Sequence, residues 1–378
     1  MTNKKRMTSL LRDLIAASSE SPPGGEREVA DILRNHLEAQ GISCVSVGPS
    51  DRPNLIFSSH DGEIGPLVMH GHMDTVPAGP KDKWTHDPFA GEIVDGKMYG
   101  RGACDMKGPV AALTETLILY SEEKHEMPLL VLTTSDEETG CTGAEKIAQS
   151  GKLNGVSYGV CAEPTNLGVF VGEKGILWSK VIAKGEAAHG SRPEEGVNAI
   201  ELCIDAVRVL TDAKYEFEED PLLGDYTLSL GTIKGGVKVN VVPSQCEAQL
   251  DMRLVRGQIP ESILEQMRIK IAEAGFSERV QVEYVHGKKA VRTDENEEIV
   301  KVSLDAVEKV RGTRPMLSTA TYGTDCSVLQ PEVGILHAIC GPGSIEQAHQ
   351  PDEFIPLDQF FDSVEIYLHI ARHFSSKS

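Results

Sequence analysis

The chain has 378 residues, enough for two domains, and its 40% hydrophobic and 25% charged content is that of an ordinary globular protein. The 57 acidic against 37 basic side chains leave a formal net charge of -20, which repels nucleic acid and anionic membrane surfaces. No stretch approaches the ~18 consecutive apolar residues of a membrane-spanning helix, so neither nucleic acid nor membrane is expected as a partner. The start, MTNKKRMTSLLRDLIAASSE, sets basic residues before apolar ones as a secretory leader does. Arg12 and Asp13 interrupt that run, however, and Leu10, Leu11, Leu14 and Ile15 have the spacing of an amphipathic helix. A further helix is expected over 27–40, ended by Gly41. Apolar strand-like runs follow at 67–69, 129–133 and 156–161, with a helical stretch over 108–122 between the first two. Together with a run at 333–339 this alternation predicts an α/β domain with a mostly parallel sheet and flanking helices.

The middle of the chain reads differently. Strands are expected at 176–183, 226–233, 246–254 and 280–285, with helices at 198–213 and 259–274. The order β-α-β-β-α-β is the split pattern of a ferredoxin-like domain. The expected organisation is one domain made of 1–173 and 292–378, interrupted by an insertion over 174–291. The eight cysteines are scattered with no C-x-x-C pair, and they read as reduced, mostly buried thiols of a cytoplasmic protein.

Potential metal ligands stand where the strands of the first domain end. His72 and Asp74 follow the first apolar run, Glu137 and Glu138 the second, Glu163 the third, and His349 lies beyond the last. Asp105 joins them from the glycine-rich stretch Gly100-Arg-Gly-Ala-Cys-Asp-Met-Lys-Gly. In open α/β sheets the carboxyl ends of the strands face one crevice, so residues distant in sequence are aimed at one place. Imidazole and carboxylate suit borderline ions such as zinc. Two ions about 3.5–4 Å apart can share a bridging carboxylate, and five protein ligands suffice if Asp105 bridges. Asp74, two residues after His72, is expected to accept the other ring N–H of that imidazole. Each short motif taken alone has an ordinary reading as a cap or a turn; their joint appearance at strand ends points to a site. Cys104, beside Asp105, reads as packing. No G-x-S-x-G nucleophile elbow and no H-E-x-x-H zinc motif occurs, and the complete donor set argues against a binding protein that kept only the fold.

The chain resembles the acetylornithine deacetylase / succinyl-diaminopimelate desuccinylase / aminoacylase family of metallopeptidases over nearly its whole length. The resemblance is carried by Gly71-His-Met-Asp-Thr-Val-Pro, Trp84-Thr-His-Asp-Pro-Phe, Asp95-Gly-Lys-Met-Tyr-Gly-Arg-Gly-Ala-Cys-Asp-Met-Lys-Gly, Asp136-Glu-Glu-Thr-Gly, Glu163-Pro-Thr, Ala188-His-Gly, Gly196-Val-Asn-Ala-Ile-Glu-Leu and Gly341-Pro-Gly-Ser-Ile-Glu-Gln-Ala-His-Gln-Pro-Asp-Glu. It implies a zinc-peptidase-like catalytic domain and an inserted lid and dimerisation domain. It further implies two divalent metal ions, zinc or cobalt. His72 and Glu163 would hold one, Glu138 and His349 the other, and Asp105 would bridge, with a cis peptide after it. Glu137 would be the general base. His189 would donate to the oxyanion, reaching the partner's site in a homodimer.

Arg253 and Asn240 are candidates for holding the substrate α-carboxylate, since a guanidinium matches a planar carboxylate through two parallel hydrogen bonds. Gly323 and Thr324 are candidates for lining the same pocket. Glu163 resembles the acylase and carboxypeptidase branch, and the C-terminal motif resembles acetylornithine deacetylase most. Hydrolysis of a small N-acyl amino acid, N-acetylornithine first, is therefore the expected reaction. Succinyl-diaminopimelate is the first alternative, weakened because Tyr322-Gly-Thr-Asp-Cys stands where the desuccinylases carry a Gly-Gly-Thr-Ser-Asp-type segment, and another N-acyl amino acid or a dipeptide is the second.

Overall fold

A computed structural model describes residues 3–60 and 62–376. Two compact units make up the chain: Met1–Gly172, Thr293–Ser318 and Thr324–Ser378 form the first, and Glu173–Arg292 with Thr319–Gly323 the second. The return of the chain to the second unit at 319–323 carries no signal in the sequence.

The first unit is an α/β sandwich. Its central sheet runs Cys44–Val47, Asn54–Ser58, Leu129–Thr134, Leu67–His72, Tyr158–Cys161, Leu336–Ile339 and Val169–Glu173 in order of hydrogen-bonded neighbours. The four strands from Leu129–Thr134 to Leu336–Ile339 are mutually parallel, and antiparallel strands flank them. Leu67–His72 and Leu129–Thr134 are buried at every position, as strands covered on both faces must be. The helix Lys107–Ser121 is buried along nearly its whole length, which explains why its sequence is apolar all round. The first helix, Lys4–Ala16, buries Met7, Leu10, Leu11, Leu14 and Ile15 as one stripe, and Asn3 caps its start by accepting the Arg6 N–H at 3.1 Å.

The expected strand over 333–339 is split. Val333 closes the helix Cys326–Val333, and the strand itself is Leu336–Ile339. A short apolar run shows no period by which to tell a helix end from a buried strand. A small sheet of Glu92–Val94, Lys97–Tyr99 and Phe354–Pro356 lies outside the main one. Three-residue strands are too short to leave a pattern.

The second unit has the β-α-β-β-α-β order expected of it. Its antiparallel sheet runs Thr227–Gly235, Gln245–Leu254, Gly175–Lys184 and Val280–Lys288. Leu177, Val181 and Ala183 alternate inward, and with Ala248, Leu250 and Met252 they form a core against the helices Ala199–Asp212 and Pro260–Glu273. Leu250 is 1% exposed, so Leu250→Ala should destabilise this unit by about 2–5 kcal/mol. Urea unfolding of the full chain measures it; a loss below about 1 kcal/mol would show that the core lies elsewhere.

Candidate metal centre

The parallel strands deliver their last residues to one rim. His72 ends its strand, Glu137 and Glu138 begin the short helix Glu137–Gly140 after Leu129–Thr134, and Glu163 lies two residues past Tyr158–Cys161. There the structure brings together all five residues expected as metal ligands, with Glu137 beside them. His72 Nε2 lies 3.0 Å from Asp105 Oδ1, 3.6 Å from Glu163 Oε1 and 4.0 Å from Glu137 Oε2. His349 Nε2 lies 3.1 Å from Glu138 Oε2 and 3.5 Å from Asp105 Oδ2. One oxygen of Asp105 thus faces each imidazole. The peptide bond after Asp105 is cis. His72, Asp105 and Glu163 are buried, while the His349 side chain is half exposed and marks the open side.

Burial pushes the carboxyls of Glu137 and Glu163 well above the ordinary range, and neighbouring acids add to the effect. Burial also raises Asp105, but its hydrogen bond to His72 and the two imidazoles prevail and hold it low. Burial alone would lower His72; the Asp105 hydrogen bond and the charges of Glu163 and Glu137 carry it well above the usual imidazole value. The His349 ring is raised first by its hydrogen bond to Glu138. Four carboxyls crowd two imidazoles, and bound cations would favour the ionised form that burial and mutual repulsion oppose. His72, Asp105 and Glu138 each offer a donor atom within 4.8 Å of the others. This mixed nitrogen and oxygen donor set fits two divalent metal ions.

Three further acids hold the frame. Asp74 differs from its expected role: His72 Nδ1 meets the Asp74 main-chain carbonyl at 2.8 Å, and the carboxylate lies at 3.7 Å. That carboxylate instead accepts the N–H groups of Glu137 and Glu138, each at 3.1 Å. The first amides of a helix have no partner within it, and they draw the nearest anion. Burial pushes the Asp74 carboxyl up to about 7. Asp136, in the left-handed region at φ 67, is fixed by Arg52 at 2.7 Å, by Ser21 and by the hydroxyls of Thr139 and Thr142. Arg52 is itself paired with buried Glu26 at 2.6 Å.

Glu353 is the residue that sequence reasoning missed, because Gln-Pro-Asp-Glu reads as a turn. It is fully buried. Oε2 accepts from Arg101 Nη1 at 2.6 Å and the Gly102 N–H at 3.1 Å. Oε1 accepts the N–H groups of Cys104 at 2.8 Å and Asp105 at 3.0 Å. Burial raises this carboxyl to about 7 against those donors. Next to it, Asp352 accepts the N–H groups of Thr85 and His86, which steadies a segment where His349 and Asp352 have φ values of 62 and 54.

The remaining expected residues divide. His189 and Asn240 are exposed on the second unit, with His189 Nδ1 2.7 Å from the Ser191 hydroxyl. Arg253, also there, makes a two-pronged pair with Asp251 at 2.9 and 3.0 Å, so its fork is already engaged. Gly323 belongs to the second unit and is half-buried. Thr324, offered as pocket lining, is fully buried, and its hydroxyl accepts the Cys326 N–H at 3.0 Å at the start of a helix. Cys104 is buried against the Ser344 carbonyl.

An open α/β sheet with a strand-end cluster of imidazoles and carboxylates defines a metal-dependent hydrolase. Residues 68–373 match the model of peptidase family M20/M25/M40, and the chain belongs to that family. It is 33% identical over 376 residues to an acetylornithine deacetylase of Shigella sonnei, which covers 95% of this chain and 94% of the relative. An M20 family metallo-carboxypeptidase from Sulfolobus solfataricus superposes with a TM-score of 0.83 over 98% of this chain and 99% of that one, at 20% identity. A dinuclear metal-binding M20 peptidase from Bacillus subtilis superposes with a TM-score of 0.76 at 19% identity, over 98% of each chain.

Replacing Glu353 with Ala strands a buried guanidinium and three amide donors. Glu353→Ala should cost about 3–5 kcal/mol and weaken metal binding, since the loop bearing Asp105 loses its anchor. Urea unfolding and calorimetric metal titration measure the two effects. Unchanged metal affinity would separate Glu353 from the site.

Proposed function

We propose that this chain hydrolyses the amide bond of a small N-acyl amino acid, N-acetylornithine first among them. The observation that carries the reading is the Asp105 carboxylate set between His72 and His349, with Glu137 on the rim of the same cluster. Two divalent ions, zinc or cobalt, held by His72 and Glu163, by Glu138 and His349, and by Asp105 between them, would supply Lewis-acid polarisation of the scissile carbonyl and a water acidic enough to attack at neutral pH.

The side chains do the rest. Glu137 takes the proton of the attacking water and returns it to the leaving amine, splitting the amide into a carboxylate and an amino acid. Asp74 holds the Glu137 main chain, so the carboxyl reaches the reacting atoms in one orientation. His189 is assigned the hydrogen bond to the developing oxyanion, a role that rests on the Ala188-His-Gly resemblance. The deacetylase reading rests on likeness to relatives of that name across most of the chain.

We also propose a homodimer formed through the second unit. Its edge strand Thr227–Gly235 is exposed along almost its whole length and shows Leu230 and Ile233, each 43% exposed. An open edge with apolar side chains is a template for pairing with a second copy. Sedimentation velocity should find a dimer, and Leu230→Lys should shift it toward monomer. A wild-type protein that sediments only as monomer removes this part of the proposal.

The activity test is amine release from N-acetylornithine by protein loaded with zinc or cobalt, beside a chelator-treated control. Chelator-sensitive release is expected, and Glu137→Ala should lower turnover by about 10²–10⁴-fold while the metal content stays unchanged. Retained turnover with metal bound would remove Glu137 from the base role. A loaded, folded protein that leaves N-acetylornithine intact but cleaves N-succinyl-diaminopimelate would keep the hydrolase and overturn the substrate.

A further inference from the structure

The first unit buries a second group of metal-type donors, distinct from the acidic cluster. His70 belongs to the strand Leu67–His72, His337 to Leu336–Ile339, and Cys326 is the first residue of the helix Cys326–Val333; they are 0%, 2% and 0% exposed. Across the strand Tyr158–Cys161, His70 pairs with Cys161 and His337 with Gly159, so both imidazoles stand on one face of the sheet. Val68, from that face, shares a buried cluster with Val328 and Leu329 of the helix. Gly159 makes the room: a Cβ there would sit 2.3 Å from His337 Cδ2.

One donor atom from each of the three residues lies within 4.8 Å of the others, and Cys326 Sγ is 4.0 Å from His70 Nε2. An ion about 2.3 Å from sulfur and about 2.0 Å from nitrogen spans that separation. The imidazoles are otherwise under-used. Nδ1 of His70 and both ring nitrogens of His337 make no hydrogen bond among the described residues; the Ile335 carbonyl lies near the His337 ring but off hydrogen-bond geometry. Unpaired ring nitrogens in a dry core oppose folding, and the edge-on packing of the two rings, centroids 5.0 Å apart, gives them no acceptor or donor.

We propose that His70, Cys326 and His337 form a second, closed metal site that takes one thiophilic d10 ion. The set contains no carboxylate, which separates it from the oxygen-rich cluster at the strand ends. One thiolate with two neutral imidazoles selects Cu+ or Zn2+ over harder ions, and the cysteine releases its proton on binding. Burial pushes the His337 ring down to about 3, so it is neutral and able to ligate. Charge and coordination favour the monovalent ion. Cu+ with one thiolate is neutral and content with three donors, whereas Zn2+ would leave a positive charge in the core and call for a fourth ligand. The site is structural: it ties the strand that ends in His72 to Leu336–Ile339, one strand beyond its neighbour, and to the helix Cys326–Val333.

The full chain should be produced in copper- and in zinc-supplemented medium, so that the ion enters as the protein folds. It is then dialysed against a chelator that strips carboxylate-held ions. Copper-grown protein should retain one ion per chain, and X-ray absorption should show one sulfur and two imidazole nitrogens around it. Cys326→Ser and His337→Phe should each lose that ion. Retention of zinc with the same ligands in place of copper supports the site and overturns the monovalent assignment. Cys203 and Cys246, adjacent in the second unit, would hold copper through two sulfurs without imidazole, and that signature would overturn the proposal. So would the absence of any retained sulfur-ligated ion in wild-type protein, a result that needs no variant to fold.

Discussion

One buried carboxylate joins the two ends of the metal centre. Glu353 accepts four hydrogen bonds, from the Arg101 guanidinium and from the amides of Gly102, Cys104 and Asp105. Asp105 comes from the loop before the central helix, and His349 lies four residues before Glu353. Without a tie, these segments would be free to drift apart, since loops are the mobile part of such a fold. A glutamate suits the task because its two oxygens accept several donors at once. Arg101 supplies a charge that opposes the pull of burial toward the neutral acid.

The acids of the rim carry a cost that this frame absorbs. Asp74, Asp105, Glu137 and Glu163 are crowded and desolvated, and burial opposes the charged form of each. A fold built only for stability would not place them together. Cations bound there stabilise the folded chain by mass action, so metal binding and folding are linked through the same oxygens. Arg52 plays the corresponding part on the far side of Glu137, holding Asp136 and Glu26.

The parallel strands and the candidate ligands at their ends were legible because a strand buried on both faces leaves a continuous apolar run, and polar residues right after it are conspicuous. The ferredoxin-like order of the second unit was legible from the alternation of its strands and the periodicity of its helices. The rest depends on long-range partners. Nothing near Glu353 in sequence shows that it will meet Arg101 across 252 positions. Arg253 and Asp251, two residues apart, share a face of their strand and pair there. Thr324, a candidate for lining the pocket, is buried, and its hydroxyl accepts from the helix that starts two residues later. His70 and His337 meet through sheet register, which neither local sequence encodes.

Glu137 and Glu138 show how adjacent identical side chains come to face different neighbours. Consecutive residues of a helix point about 100° apart, so one carboxyl turns toward His72 and the other toward His349. The difference persists only if the helix start cannot rotate. Asp74 prevents rotation by taking both amides at once, one on each oxygen, while Asp136 anchors the turn before them. A single carboxylate below the turn thereby assigns two directions above it. In the proposed function, that arrangement would let Glu138 serve as a metal ligand while Glu137 stays available for the proton.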